Sequence, residues 1–283
     1  MGRIRSLLHW IPLALVALSL GCGGPRYSEV SAGMSHTCAV KTDGTLACWG
    51  RDEEKQSSPP AGSFTGISVG TSHSCAIAAA GSVVCWGRDK YGEASPPEGS
   101  FTGVSAGGFY TCGVKEGGAV VCWGRSRRGE GEPPEGEFTL VRASKVHTCG
   151  LKKDGKAACW GRGIFGETKA PDASFVDLAV GTSHTCGLGT NGAVTCWGRN
   201  IEKQSTPPAE IFGALAAGGF TTCVIAGDGA LQCFGSDKDG QLQVPPGEWA
   251  RVSVGHAHAC GIDKRGGIAC WGWDASGQAT PPS

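Results

Sequence analysis

The stretch HTCAVKTDGTLACWGR, residues 36–51, decides the fold. Two apolar runs flank Thr42-Asp43-Gly44, which is the signature of a β-hairpin. Glycine in the third loop position fits a type I turn followed by a left-handed residue, and such a loop sets Lys41 opposite Thr45. Counting outward from that pair, Cys38 faces Cys48 at a non-hydrogen-bonded position. There the Cα atoms lie about 4.5 Å apart, within disulfide range. A two-residue turn would stagger the two cysteines onto opposite faces of the hairpin.

The hairpin recurs without an insertion or deletion every 37 residues. Its cysteines are Cys38 and Cys48, Cys75 and Cys85, Cys112 and Cys122, Cys149 and Cys159, Cys186 and Cys196, Cys223 and Cys233, and Cys260 and Cys270. The turn glycine recurs as Gly44, Gly81, Gly118, Gly155, Gly192, Gly229 and Gly266. A fixed period of this size means a solenoid, a propeller or an array. No unit carries an amphipathic helical stretch, and the first and last units are not the polar caps an open solenoid needs. The fold class is therefore all-β, a closed seven-bladed β-propeller over residues 28–283. A further strand precedes each hairpin, as in YSEVSAG and SFTGISVG, giving three strands (A, B and C) per blade. The Gly- and Pro-rich connectors leave room for an irregular fourth.

Alternation sorts the hairpin into two faces, one with Cys38, Val40, Leu46 and Cys48, the other with Thr37, Ala39, Ala47 and Trp49. The Ala39 position is small in nearly every unit. Both faces are expected to be buried, with Trp49, Trp86, Trp123, Trp160, Trp197 and Trp271 packed into the neighbouring blade and Phe234 substituting once.

Residues 1–21 read as a signal segment, with Arg3 and Arg5 before an apolar run too short to span a bilayer comfortably. It ends in LSLGC, which resembles a lipoprotein lipobox with Cys22 as the acylated residue; an ordinary signal peptide cut nearby is the alternative. Of the 15 cysteines, removing Cys22 leaves an even set, as a disulfide framework in an exported protein requires. Residues 22–27 then form a short tether. The predicted location is the bacterial cell envelope, held by lipid on Cys22; Gly23 after the cysteine resembles outer-membrane sorting. The 25 basic and 25 acidic residues balance, which argues against nucleic acid as a partner. A monomer is expected.

The pattern SAGMSHTCAVKTDGTLACWGR, and again VGTSHTCGLGTNGAVTCWGR, with a Gly-[Gln/Glu] step after the hairpin in the other units, resembles the repeat of the regulator of chromosome condensation family. The resemblance covers essentially the whole mature chain and implies a seven-bladed propeller. Founding members resemble exchange factors for a small GTPase, a role that an export signal and a disulfide per blade disfavour. A bacterial β-lactamase-inhibitory propeller shares the repeat and offers a precedent for an exported, protein-binding member. Function itself resides in sites grafted on the fold.

Connectivity places the A–B loops and the exits of strand C together on one face, called the top here, and the glycine turns on the other. The top loops vary between units and carry Tyr91, Phe109, Tyr110, Lys145, Ile164, Phe165, Phe220, His256 and Trp273. Aromatic and polar residues mixed in this way suggest a surface for a protein or peptide partner. Glycan binding is a second reading, although it would favour one aromatic repeated on most exposed loops. His36, His73, His147, His184 and His258 recur at one position, yet neighbours would stand roughly 10 Å apart, too far to share an ion. A structural hydrogen bond to the neighbouring loop is expected of them. Arg51, Arg88, Arg125, Arg162 and Arg199 are expected to stack or to pair between blades. No serine elbow, phosphate-cradling loop, zinc spacing or spare thiol is present, so neither catalysis nor a cofactor or metal is predicted.

Overall fold

In the computed structural model, which describes residues 24–282, every hairpin takes the expected register. The Lys41 N–H donates to Thr45 O at 2.8 Å and the Gly44 N–H to Lys41 O at 2.9 Å. Gly44 has φ +84°, and its six counterparts lie between +80° and +97°, a region a side chain would strain. Cys38 sits directly opposite Cys48. All seven pairs are disulfide-bonded with Cα atoms 4.0 Å apart.

In the first blade, β1 (Tyr27–Ala32), β2 (His36–Lys41) and β3 (Leu46–Gly50) form one antiparallel sheet in that order. Residues 64–87, 101–124, 138–161, 175–198, 214–235 and 249–272 build six more sheets of the same design. The ring of blades is a seven-bladed propeller. Among the described residues there is no helix, and the connectors contribute no fourth strand. β1 opens at Tyr27, one residue inside the expected tether. Cys22 and the signal segment lie outside the described residues.

Blades join in one repeated way. The aromatic residue at the start of each blade donates its N–H to the turn-glycine carbonyl of the preceding blade, as Phe64 does to Gly44 at 2.8 Å. Tyr27 does the same to Gly266 at 2.9 Å, which closes blade 7 onto blade 1. His256 N–H to Gly33 O at 3.0 Å closes the top of the ring. No strand is exchanged between blades.

The small residue on strand B has a cause the hairpin alone does not reveal. A buried aromatic opens strand A or, in blade 6, stands two residues before it: Tyr27, Phe64, Phe101, Phe138, Phe175, Phe212 and Trp249. The ring lies across strand B of its own blade and meets the tryptophan of strand C, as in the edge-on pairs Phe101–Trp123 at 6.0 Å and Phe138–Trp160 at 6.1 Å. A Cβ on Gly187 would come within 2.3 Å of the Phe175 ring, and one on Gly150 within 2.5 Å of Phe138. This aromatic-covered face then packs on the cysteine face of the preceding blade; Tyr27, Ala39 and Trp49 cluster with Cys260 and Ile262 of blade 7.

Each strand C tryptophan is tied as well as packed. Trp86 Nε1 donates to Gln56 O at 2.9 Å, and Trp49, Trp123, Trp160, Trp197 and Trp271 donate to the equivalent carbonyls of Gln278, Glu93, Glu130, Glu167 and Gln241. Those carbonyls belong to the exit loop of the preceding blade. Most also accept a hydroxyl from strand B, such as Thr37 to Gln278 O at 2.9 Å and Thr148 to Glu130 O at 2.7 Å.

The histidines find their partner on the neighbouring strand B rather than in a loop. Nε2 of His36, His73, His147, His184 and His258 lies 2.8–2.9 Å from Ser74, Thr111, Thr185, Thr222 and Thr37. Each of these hydroxyls spends its one proton on an exit-loop carbonyl. Nε2 must therefore be the donor, which fixes the tautomer. Nδ1 of His36, His184 and His258 is buried without a partner, so a second proton would have nowhere to go. Burial drives all five well below the ordinary imidazole value, to about 3 for His36 and His147 and about 4 for the others.

Blade 6 breaks the pattern in a paired manner. Thr221 stands where the histidine would be, and the residue it would bond in blade 7 is Ala259. Thr221 donates instead to Ser236 O within its own blade at 3.0 Å.

Two outcomes follow from these junctions. Because the folded histidines resist protonation, the unfolded chain binds more protons below its pKa near 6.5, so stability is complete above that pH and falls as pH drops toward 4. Guanidinium unfolding at pH 7.5 and pH 5 should show a loss of roughly 2 kcal/mol per buried histidine; equal midpoints would contradict the assigned neutral state. Second, Thr221→His combined with Ala259→Thr should rebuild the missing bond, since Gly218 stands at the repeat position of Gly70, Gly181 and Gly255, the glycines against which the other rings lie. A double-mutant cycle should give a favourable coupling of about 1 kcal/mol.

Candidate functional site

The top face is assembled by the same backbone bond in all seven blades. The residue after strand C donates its N–H to the A–B loop, as in Arg51 to Ser35 O at 2.9 Å, Arg125 to Phe109 O at 2.8 Å and Trp273 to Ala257 O at 2.9 Å. Variable exit loops and A–B loops are thereby stitched side by side.

Each exit loop is then held from inside. A buried Gln or Glu folds its side chain back onto the backbone N–H two residues earlier: Gln56 Oε1 accepts from Glu54, Glu93 from Tyr91, Glu130 from Arg128, Glu167 from Phe165, Gln204 from Glu202, Gln241 from Asp239 and Gln278 from Ser276. Asp52, Asp89, Asn200, Asp237 and Asp274 brace the far side through the N–H five residues on. The loops are rigid frames with two tip positions that differ from blade to blade. Those tips read Glu53-Glu54, Lys90-Tyr91, Arg127-Arg128, Ile164-Phe165, Ile201-Glu202, Lys238-Asp239 and Ala275-Ser276.

Most of the predicted residues gather here. Ile164 and Phe165 are exposed at a tip (68% and 43%), Trp273 is exposed at 39%, and Ile201, which the sequence reading passed over, reaches 71%. Lys145 and His256 are exposed at the mouth of a central channel of about 330 Å³ lined by strand A of all seven blades. Packing about its ring, then the charge of Lys145, lowers the His256 pKa. Tyr91, Phe109 and Phe220 are half-buried under arginines. Tyr91 and Phe109 meet edge-on at 5.9 Å, with Arg88 4.8 Å from the Phe109 ring and Arg125 4.5 Å from that of Tyr91. Arg199 lies 4.6 Å from Phe220 and 5.7 Å from Phe165. The expected stacking of the arginines is thus present on these blades, but pairing stays within a loop, Arg51 with Glu53 and Arg199 with Glu202.

Tyr110 is a correction. It occupies the histidine position of strand B, is 1% exposed, and its hydroxyl bonds Thr148 Oγ1 at 2.7 Å in the interface with blade 4. Burial raises its pKa, and it takes no part in the top surface. The 37-residue period puts it in the column of His73 and His147, and strand B begins between it and Phe109. The Arg127–Arg128 and Ile201–Glu202 tips had a visible signal: they stand three and two residues before the Glu or Gln of the exit loop, as Lys90–Tyr91 and Ile164–Phe165 do.

No curated protein matches the chain by sequence. Among solved structures, the ectodomain of the Physcomitrella patens receptor kinase CR4 superposes with a TM-score of 0.76 at 23% identity, covering 88% of this chain and 73% of that one. The CRINKLY ectodomain of the Arabidopsis thaliana receptor kinase ACR4 gives 0.74 at 23% identity, covering 92% and 98%. Prp20p from Saccharomyces cerevisiae, described with its binding to Gsp1p and histones, gives 0.52 at 15% identity, covering 88% and 72%. These likenesses concern the fold. Residues 27–56, 64–93, 101–130, 175–204 and 214–241 each match the regulator of chromosome condensation (RCC1) repeat, and the chain belongs to that repeat family.

Proposed function

We propose that this propeller is an exported, envelope-anchored scaffold that binds a protein or peptide through its top face. The observation that carries the reading is the contrast within each exit loop, where a buried Gln or Glu holds a fixed frame while the two tip residues change in every blade. Rigid loops with variable tips suit recognition, because little conformational freedom is lost on binding. Tyr91, Phe109, Phe165 and Phe220, each beside an arginine, supply the residue types that dominate binding energy at interfaces. Prp20p, a protein of similar fold, has protein partners, Gsp1p and histones.

Seven disulfides call for an oxidising compartment, in line with export. Lipid on Cys22 is the proposed anchor. The chain approaches β1 from the turn side, where Arg26 O accepts from Thr42 N–H at 2.9 Å, so the anchor would hold that side to the membrane and turn the variable face outward. Inhibition of a secreted enzyme is the sharper form of the proposal.

The mature domain without Cys22, used as bait in envelope extract, should retain a partner that the folded triple variant Phe109→Ser, Phe165→Ser, Phe220→Ser loses by at least tenfold. Tyr110 stays unchanged because its loss would weaken the blade interface. Equal capture by both baits would remove the top face as the site.

A further inference from the structure

Charge is segregated around the top face although the whole chain is neutral. The exit loops of blades 2, 3 and 4, with Lys145 between them, carry seven cations and four carboxylates. The exit loops of blades 6, 7 and 1 carry three cations and six carboxylates. The four carboxylates on the basic side are committed to their own loops: Asp89 to Ala94 and Ser95, Glu93 to Tyr91, Glu130 to Arg127 and Arg128, Glu167 to Phe165.

The arginine column divides along the same line. Arg51 and Arg199 donate to Glu53 and Glu202 of their own loops. Arg88 and Arg125 lie over the Tyr91–Phe109 pair, and neither guanidinium makes a hydrogen bond among the described residues; Arg88 approaches buried Glu93 only at 3.6 Å. Arg125, Arg128 and Lys145 have no carboxylate within 4.0 Å among the described residues. In blade 4, Nε of Arg162 is buried with no hydrogen-bond partner among the described residues. Guanidinium forks that make no hydrogen bond to a carboxylate, braced by aromatic rings, are suited to bidentate capture of carboxylates.

Resting on the binding face proposed above, we infer that the blade 2–4 sector, centred on Arg88, Tyr91, Phe109 and Arg125, takes a carboxylate-rich segment of a protein partner. The segment's acids meet the arginine forks and an apolar residue covers the aromatic pair. The acidic loops of blades 6, 7 and 1 repel the same segment and set its orientation.

A random peptide library displayed on phage, panned against the mature domain, tests this directly. Peptides displaced from the wild type by raised salt should be enriched about twofold or more in Asp and Glu over the starting library. The enrichment should vanish on Arg88→Gln/Arg125→Gln and persist on Arg51→Gln/Lys55→Gln. Peptides that need Phe109 yet show no acidic enrichment would overturn the inference and leave the top face as the binding surface. A library yielding no peptide sensitive to either the arginine or the phenylalanine changes would overturn both. Oligothymidylate of the peptides' length binding more tightly than the selected peptides, with the same arginine dependence, would assign the sector to nucleic acid instead.

Discussion

The carbonyl of the Gln or Glu in each exit loop is the joint on which this molecule depends. In most blades it receives both the indole N–H of the next blade's tryptophan and the hydroxyl of the next blade's strand B. The side chain of that same residue reaches back to hold the tip of its own loop. One residue therefore docks a blade and shapes the outer face at once. A buried carbonyl left without donors would cost about 1–3 kcal/mol, so the tryptophan and the threonine are needed beyond their packing. The histidine that bonds the threonine extends the chain of donors from blade to blade around the ring.

Much of this was legible in sequence because it is local. Turn chemistry at Gly44 set the hairpin register, and the register put Cys38 against Cys48. Alternation correctly sent the tryptophans into a neighbouring blade, which the structure shows to be the preceding one. What sequence reading missed depends on atoms far apart in the chain. The histidine at position 36 bonds Ser74, and nothing within either repeat announces the pairing. Tyr110 looked like a loop aromatic because Phe109 precedes it, whereas the strand boundary turns the two rings in opposite senses. The aromatic opening strand A was available at the same period as the cysteines and explains Gly113, Gly150, Gly187 and Gly261 better than a generic need for small residues does.

Blade 6 illustrates how such a ring tolerates exceptions. Phe234 lacks the indole N–H, leaving Gln204 O to Thr222 alone, and Thr221 and Ala259 abandon one hydrogen-bonded pair together. Losing both members of a buried pair is nearly neutral, while losing one strands a polar group. The two changes lie 38 positions apart in the chain and face each other across a single interface.

Because blade 7 meets blade 1 through the same bonds as any other two neighbours, no blade is assembled from both ends of the chain. Each is a complete module, drawn from one uninterrupted segment and separated from the next by a proline-rich connector. Such a ring is indifferent to where its backbone is cut: a circular permutant opened at another connector would meet the same contacts in the same order. Recombination within the gene could likewise exchange whole modules in register, shuffling loop tips while leaving every joint intact.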